Sequence, residues 1–593
     1  VAGSDAAAIG GPALLALALS LIGITGHSLG FDEGATWAIA TQAVTGHGLG
    51  AGIAHDGGNM LGFYALEHVL ISALGDSLFV MRLPSAIAGG ATAAFVAAIG
   101  LRLFERRPAV LGAVLTAVTL SVVYWNQTAR GYAAMLAFTC AGMLAFLALA
   151  EPPSPRARTD ADADTDAHAD TDAHARTDAH ARTDADADTD TSGDARTARR
   201  AWLPVLGYVA AMVLAIYCSF VAVLVIPAQM VALIWRRHAW RRFGAALVGL
   251  VVCAIPLAAL AAARGSGQLF WVPRPDRQVE QQVLESLTGS GLQSTFHPTF
   301  LAVPGIWITL VAVLVGLLLC VRARRTSASG GVSASGGVSA SGGVSASGGV
   351  SASGGVSAAV SAPGAVGEPF AGWGAVVVLA WAIVGPALVF VYSFVSQPLF
   401  QPRNLVTSVP AIALVVALGI CDRRLPRSVA GAALVLALGI RLVPLALSYG
   451  VSPEPWDAAT HAVLAAARPG DCVVFYPEDS HNPFQYYERT AKPPGAVMPR
   501  SALPITGWGE VRSYVERYKT LSPAREAALA SSCRRLWLVS SHEGQSHGPA
   551  RSRHNLKTFD HFRTQLEQLF GRGRVRTYGY ASAIHVRLMP GKN

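Results

Sequence analysis

Runs of almost unbroken apolar residues dominate this chain: 203–235, 243–263, 305–321 and 371–394 are near-continuous in Leu, Val, Ala, Ile and Gly. Each reaches or approaches the roughly 20 residues that a helix needs to cross a bilayer. With 593 residues, 52% of them hydrophobic and 14% charged, the chain carries far more apolar sequence than one soluble core can bury. The sequence therefore predicts an all-α polytopic membrane protein, and the number of runs excludes a single-span anchor. The formal charge of +9 sits in short clusters beside apolar runs, which reads as topology and not as a nucleic-acid surface.

Basic clusters favour the cytoplasmic side of a membrane. Those here are Arg102/Arg106/Arg107, Arg199/Arg200, Arg236/Arg237/Arg241/Arg242, Arg322/Arg324/Arg325 and Arg423/Arg424/Arg427. Placing all of them inside predicts about eleven spans, at roughly 10–29, 83–101, 109–125, 132–149, 203–217, 219–235, 243–263, 305–321, 371–394, 404–421 and 428–447. The first run has no Lys or Arg ahead of it and is read as a permanent span, not a cleaved signal. Segments 30–82, 126–131, 264–304, 395–403 and everything after 448 then fall on the outer face. Residues 61–75 are apolar but short and carry Glu67 and His68, which predicts an amphipathic juxtamembrane helix within the first outer loop.

The chain divides into an N-terminal membrane module at 1–150, an Asp/His/Ala/Thr repeat at 151–201 and spans with an outer loop at 264–304 over 202–325. A Ser/Gly/Ala/Val repeat at 326–369, further spans at 370–448 and a small α/β domain at 449–593 follow. Both repeats offer too little apolar surface to offset chain entropy, so disorder on the inner face is expected. His168, His174 and His180 recur with the first repeat and read as its by-product. In the last part the pattern predicts helices at 456–468, 510–530 and 558–570, strands at 471–477 and 534–540, and a strand pair within 574–588. Cys472 and Cys533 lie in this extracytoplasmic part, where a disulfide would persist if they pair. The other cysteines sit singly in or beside apolar runs, without metal-ligand spacing.

Polar groups gather at the outer ends of spans. The string GFDEGATW sets Asp32 and Glu33 where the first span meets the outer face, and ionisable groups beside spans are functional candidates. The competing reading is two acids capping a helix in water. In HDGGNMLGFYALEH, His55, Asp56, Asn59 and Tyr64 come close in sequence, although Asp-Gly-Gly alone suggests an ordinary turn. YWNQTARGY holds Gln127, Arg130 and Tyr132 between two spans, and FVSQPLFQPRNL holds Arg403. Both arginines run against the positive-inside preference, so each calls for an anion: a phosphate gripped in the planar guanidinium fork, or a salt bridge to Asp32, Glu33 or Asp56.

Taken in order, FDEGATW, DGGNMLGFYALEH, GDSLFVMRLPSAIAG with RLFERR, NQTARGYA and LFQPRNL resemble the family 39-like glycosyltransferases of the GT-C superfamily, relatives of protein O-mannosyltransferases. The likeness covers 10–150 and, more loosely, 395–420. It implies transfer of a mannose-like sugar from a polyprenyl-phosphate carrier to an acceptor hydroxyl on a glycan, lipid or protein at the outer face. It also implies Asp32 as general base toward that hydroxyl and Glu33 as its support, with the remaining residues named above binding substrate. The chain departs from the pattern at Thr128, where many relatives carry an acid, and at Gly58-Asn59-Met60, where many carry His-Pro-Pro. In-line attack opposite the phosphate would invert the anomeric centre. A divalent cation could share the task of Arg130 and Arg403, but no His/Asp spacing demands one. A transporter or flippase would need polar or broken helices near the midplane, and a silent lipid-binding relative would keep the fold without the chemistry.

Overall fold

The computed structural model describes residues 2–42, 49–151, 191–265, 271–329, 369–492, 494–504, 519–580 and 582–591. The chain opens with helices α1 (Ala2–Leu21), α2 (Phe31–Gln42), α3 (Leu49–His55), α4 (Leu61–Leu74), α5 (Leu78–Leu103), α6 (Arg106–Ala117), α7 (Leu120–Asn126) and α8 (Tyr132–Ala150). It is a multi-pass membrane protein. Among the described residues six helices are long and apolar enough to cross a bilayer: Leu78–Leu103, Tyr132–Ala150, Arg237–Arg264, Gly372–Val395, Pro402–Ile420 and Arg427–Ser448.

The expected span at 109–125 is a broken one, α6 and α7 meeting at 62°. Thr116 and Thr119 donate their hydroxyls to the carbonyls of Gly112 and Leu115, four residues back, a bonding mode that bends helices. The bend turns 124–132 across the outer ends of its neighbours. The four other expected spans coincide with shorter apolar helices, Asp5–Leu21, Trp202–Cys218, Phe220–Leu233 and Ala302–Gly316. The first of these ends at Leu21, not 29, because Gly23 takes a left-handed φ of 66° that an L-residue adopts only at a cost. Close approach of α5 and α7 rests on Gly89, where a Cβ would lie 2.2 Å from the Asn126 side chain.

Residues 191–201, expected to be disordered, are helical as the start of Thr191–Cys218, and 326–329 continue the helix Ala302–Ser329. The rest of both repeats lies outside the described residues. The first loop contains more helix than expected, with α2 and α3 ahead of α4. On α4, Phe63, Tyr64, Glu67 and Ile71 are buried while Leu66, Val69 and Leu74 are exposed, an apolar outer face suited to lipid.

The C-terminal domain is a five-stranded sheet in the order β2-β1-β3-β5-β4, from β1 (Asp471–Tyr476), β2 (Arg500–Leu503), β3 (Arg535–Ser540), β4 (Arg574–Tyr578) and β5 (Ile584–Met589). β1 pairs in parallel with β2 and β3, while β5 is antiparallel to both β3 and β4. β2 was not anticipated, being four residues with no clear alternation. Of the expected helix at 510–530, residues 510–518 lie outside the described residues and Pro523–Ser532 is helical. The last helix starts earlier than expected, spanning Ala550–Phe570.

Side chains alternate across β1 and β3. Cys472, Val474, Leu536 and Leu538 face Phe559, Phe562 and Leu566, whereas Val473, Phe475, Trp537 and Val539 face Trp456, Val463 and Phe484. The second cluster also takes in Leu29, Phe31, Trp37 and Ala38, so the first loop and the domain share one core. At their closest, a Cβ on Gly34 of α2 would sit 2.8 Å from the Pro483 ring. Cys472 and Cys533 form a disulfide across 61 residues. A loop of that length implies about 4 kcal/mol from restriction of the unfolded chain. Cys472→Ser should therefore lower the thermal midpoint of the domain, read by differential scanning calorimetry of the full chain, and an unchanged midpoint would deny the bridge a stabilising role.

Candidate active site

Asp32 and Glu33 occupy the first turn of α2, where the helix dipole and free N–H groups favour carboxylates. They do different things. Glu33 is buried, and its two oxygens accept from Arg82 Nε at 2.8 Å, Arg82 Nη2 at 2.6 Å, the Ala129 N–H at 2.7 Å and the Gly30 N–H at 3.0 Å. The remaining Arg82 donors reach the carbonyls of Ile24, His27 and Ser28. Burial alone would raise the Glu33 carboxyl, but Arg82 and the two backbone N–H groups hold it below the usual range. With every oxygen engaged, Glu33 ties α2, the 24–28 segment and the 126–131 turn together.

Asp32 is the opposite case. Its side chain is 42% exposed, into a cavity of about 1400 Å3, and its Oδ2 receives Arg403 Nη1 at 3.3 Å. Partial enclosure would raise its carboxyl, yet the charges of Arg130, Arg403 and His542 hold it below the ordinary value of 3.8. Arg403 is steadied by Trp271, whose ring centroid lies 4.4 Å from the guanidinium carbon.

Arg130 is buried and donates to the Asp32 carbonyl at 3.2 Å, Thr36 Oγ1 at 3.3 Å and Tyr64 Oη at 3.1 Å. Tyr64 in turn donates to Asp56 Oδ2 at 2.8 Å. The Asp-Gly-Gly string is indeed a turn, with Gly57 and Gly58 at positive φ packed on Arg264 and Leu260. That turn is what brings Asp56 back to Tyr64. Asn59 and Tyr132 line the same cavity, Tyr132 against Trp125 with ring centroids 4.4 Å apart. Gln127 also borders it, but its amide nitrogen is occupied by the carbonyls of Leu19, Ser20 and Ile22, which pins the end of α1. His55 ends α3, and its side chain lies outside the described residues. Both Glu67 oxygens are buried without a hydrogen bond, and burial pushes its carboxyl up to about 9.

Four residues of the site escaped the sequence reading: Arg82, Trp271, Glu454 and His542. Only Arg82 left a signal, an arginine inside an apolar run with no basic neighbour. Glu454 accepts the Phe31 N–H at 2.6 Å, capping α2 from the C-terminal domain, and its Oε1 lies 3.9 Å from His542 Nε2. His542 rests on the Phe31 ring with centroids 4.3 Å apart. Among the described residues no group of three or more His, Cys, Asp or Glu side chains could hold a metal ion.

Residues 61–158 match the family model described as dolichyl-phosphate-mannose-protein mannosyltransferase. No curated protein matches the chain. Among solved structures, ArnT from Cupriavidus metallidurans in the apo state is 14% identical with a TM-score of 0.51, over 97% of this chain and 96% of that one. The same protein bound to undecaprenyl phosphate gives 12% identity and a TM-score of 0.46 over 97% and 96%. The archaeal oligosaccharyltransferase AglB from Archaeoglobus fulgidus, in complex with an inhibitory peptide and a dolichol-phosphate, gives 10% and 0.45 over 98% of this chain and 74% of that one. The likeness to apo ArnT is one of fold.

Proposed function

Starting from a chain with the GT-C glycosyltransferase fold, we propose that the protein transfers a mannose-like sugar from a polyprenyl-phosphate donor to an acceptor hydroxyl on the outer face of the membrane. The observation that carries this is the Asp32 carboxylate on the cavity wall, 3.3 Å from Arg403 and beside Arg130. In the step, Asp32 takes the proton of the acceptor hydroxyl as its oxygen bonds to the anomeric carbon. The bond from that carbon to the phosphate oxygen breaks, its electron pair leaves with the phosphate, and the centre inverts. A phosphate is a good leaving group, so a base and a cation clamp suffice. The disulfide and the positive-inside pattern support an extracytoplasmic position for the C-terminal domain.

Arg403 would grip the donor phosphate, and in doing so exchange Asp32 for a better anion. Arg403→Ala should weaken binding of polyprenyl phosphate about 10- to 100-fold, with Arg403→Lys intermediate, measured by scintillation proximity on the full chain in nanodiscs. Unchanged affinity would remove Arg403 from the phosphate site.

The same exchange has a pH signature. In the free protein the Asp32 carboxyl is held below its ordinary value, so the acid limb of kcat/KM should lie below the ordinary carboxylate range. With Arg403 turned to the phosphate, the Asp32 carboxyl rises, and the acid limb of kcat should lie at higher pH than that of kcat/KM. Coincident limbs would argue against the exchange.

A further inference from the structure

The arginines that line the cavity all stand on one side of the line between the membrane helices and the C-terminal domain. Every Lys or Arg among its described lining residues (Arg82, Arg130, Arg264, Arg403) comes from the membrane part. The C-terminal wall comes from 453–454, the loop 542–548 after β3, Ser552, Asn555 and Leu556, and residues 580, 582, 583 and 585. Its lining contains no Lys or Arg, its acids are Glu454 and Glu543, and its other polar groups are His, Gln, Ser, Asn and Tyr; the neighbouring Arg553 is engaged by the Gly548 carbonyl. Glu543 is held in place by Ser540 Oγ at 2.6 Å and His585 Nδ1 at 2.9 Å.

We propose that this wall is an acceptor subsite for an uncharged, hydroxyl-rich head, a neutral saccharide, and that Gln545 and His547 are specificity-determining residues within it. The proposal rests on the transferase reading above and adds the acceptor class to it.

Three observations support it. The wall and Asp32 line one cavity, and His542 of the wall lies on Phe31, the residue before Asp32. With two acids and no Lys or Arg among its lining residues, this wall is poorly matched to a phosphorylated or otherwise anionic acceptor, while Arg130 and Arg403 across the cavity suit the donor phosphate. The loop also lies where β3 ends and β5 begins, in the middle of the sheet; the free edges are β2 and β4. A peptide cannot add itself there as a strand, so recognition falls to side chains, and short amide, imidazole and hydroxyl groups suit sugar hydroxyls. Gln545, Ser546 and His547 are exposed, free to meet a ligand without breaking the core.

The test is hydrogen exchange followed by mass spectrometry on the full chain in nanodiscs, with polyprenyl phosphate present throughout. The added probes are neutral tetrasaccharides of mannose, glucose or arabinose, a sulfated tetrasaccharide, and a Ser/Thr-rich peptide. A neutral tetrasaccharide should slow exchange across 541–548 and 582–585, the sulfated one and the peptide should not, and Gln545→Ala with His547→Ala should weaken that protection at least about 10-fold in probe concentration. Protection by the sulfated probe or the peptide in place of the neutral one would overturn the proposal. So would absence of protection by every neutral tetrasaccharide while polyprenyl phosphate still protects 399–404. If polyprenyl phosphate itself fails to protect 399–404, the donor reading falls, whatever the saccharide does at 541–548.

Discussion

Asp32→Asn should lower sugar transfer by about 10²- to 10⁴-fold while leaving the fold and the affinity for polyprenyl phosphate largely intact. The asparagine keeps the shape of the side chain and can still bond to Arg403, but it cannot accept a proton from a hydroxyl. Asp32 is 42% exposed and its neighbours are held by other contacts, so no buried partner is stranded by the change. The measurement is transfer of radiolabel from a polyprenyl-phosphate sugar by the full chain in native membranes, beside donor binding and thermal midpoint. Undiminished transfer would remove Asp32 from the base role. Loss of transfer together with loss of the midpoint would make Asp32 a structural residue.

Glu33 should behave in the reverse manner. Its pair with Arg82 is nearly inaccessible, with 5% and 1% of the side chains exposed, and removing one member of such a pair strands the other at about 3–5 kcal/mol. Glu33→Ala and Arg82→Met should both collapse the membrane-inserted fold, seen as early-eluting aggregate in detergent and a lost thermal transition. Activity would vanish as a consequence of unfolding. The pH dependence has a definite sign: because the folded Glu33 carboxyl is depressed, its stabilisation is complete above the ordinary glutamate range and is lost only as pH falls through the depressed value. A stable, well-folded Glu33→Ala protein lacking only transfer would instead give Glu33 a direct part in the chemistry.

That contrast marks how far the sequence carried. Two adjacent acids at the end of an apolar run announce a site, but nothing in FDEGATW says that one carboxylate faces a cavity and the other an arginine 49 residues on. The helical phase of α2 decides it, with consecutive residues about 100° apart around the axis. Arg130 and Arg403 were legible because each is a lone arginine in a short loop opposite the side assigned to the five basic clusters. The arrangement of Asp56 and Tyr64 was legible in part, through the Asp-Gly-Gly turn. Glu454 and His542 were not, since each lies in an ordinary stretch more than 400 residues from the helix it serves, and only tertiary packing makes it a neighbour. Gln127 carried the right motif, yet three backbone carbonyls engage its amide. The break between α6 and α7 was hidden because Val118-Thr119 is as apolar as a continuous span requires.

The first loop depends on groups from the far end of the chain. Ser28 N–H is met by Ser452, Leu29 N–H by Tyr487 and Phe31 N–H by Glu454, over separations of 424, 458 and 423 residues. During synthesis the amino-terminal segment is inserted long before those partners exist. Its helix start must therefore wait on water or a chaperone until the final quarter of the polypeptide arrives. On the proposed function, the nascent chain would remain inert, unable to consume lipid donor, until the C-terminal domain has been made and these three bonds can form.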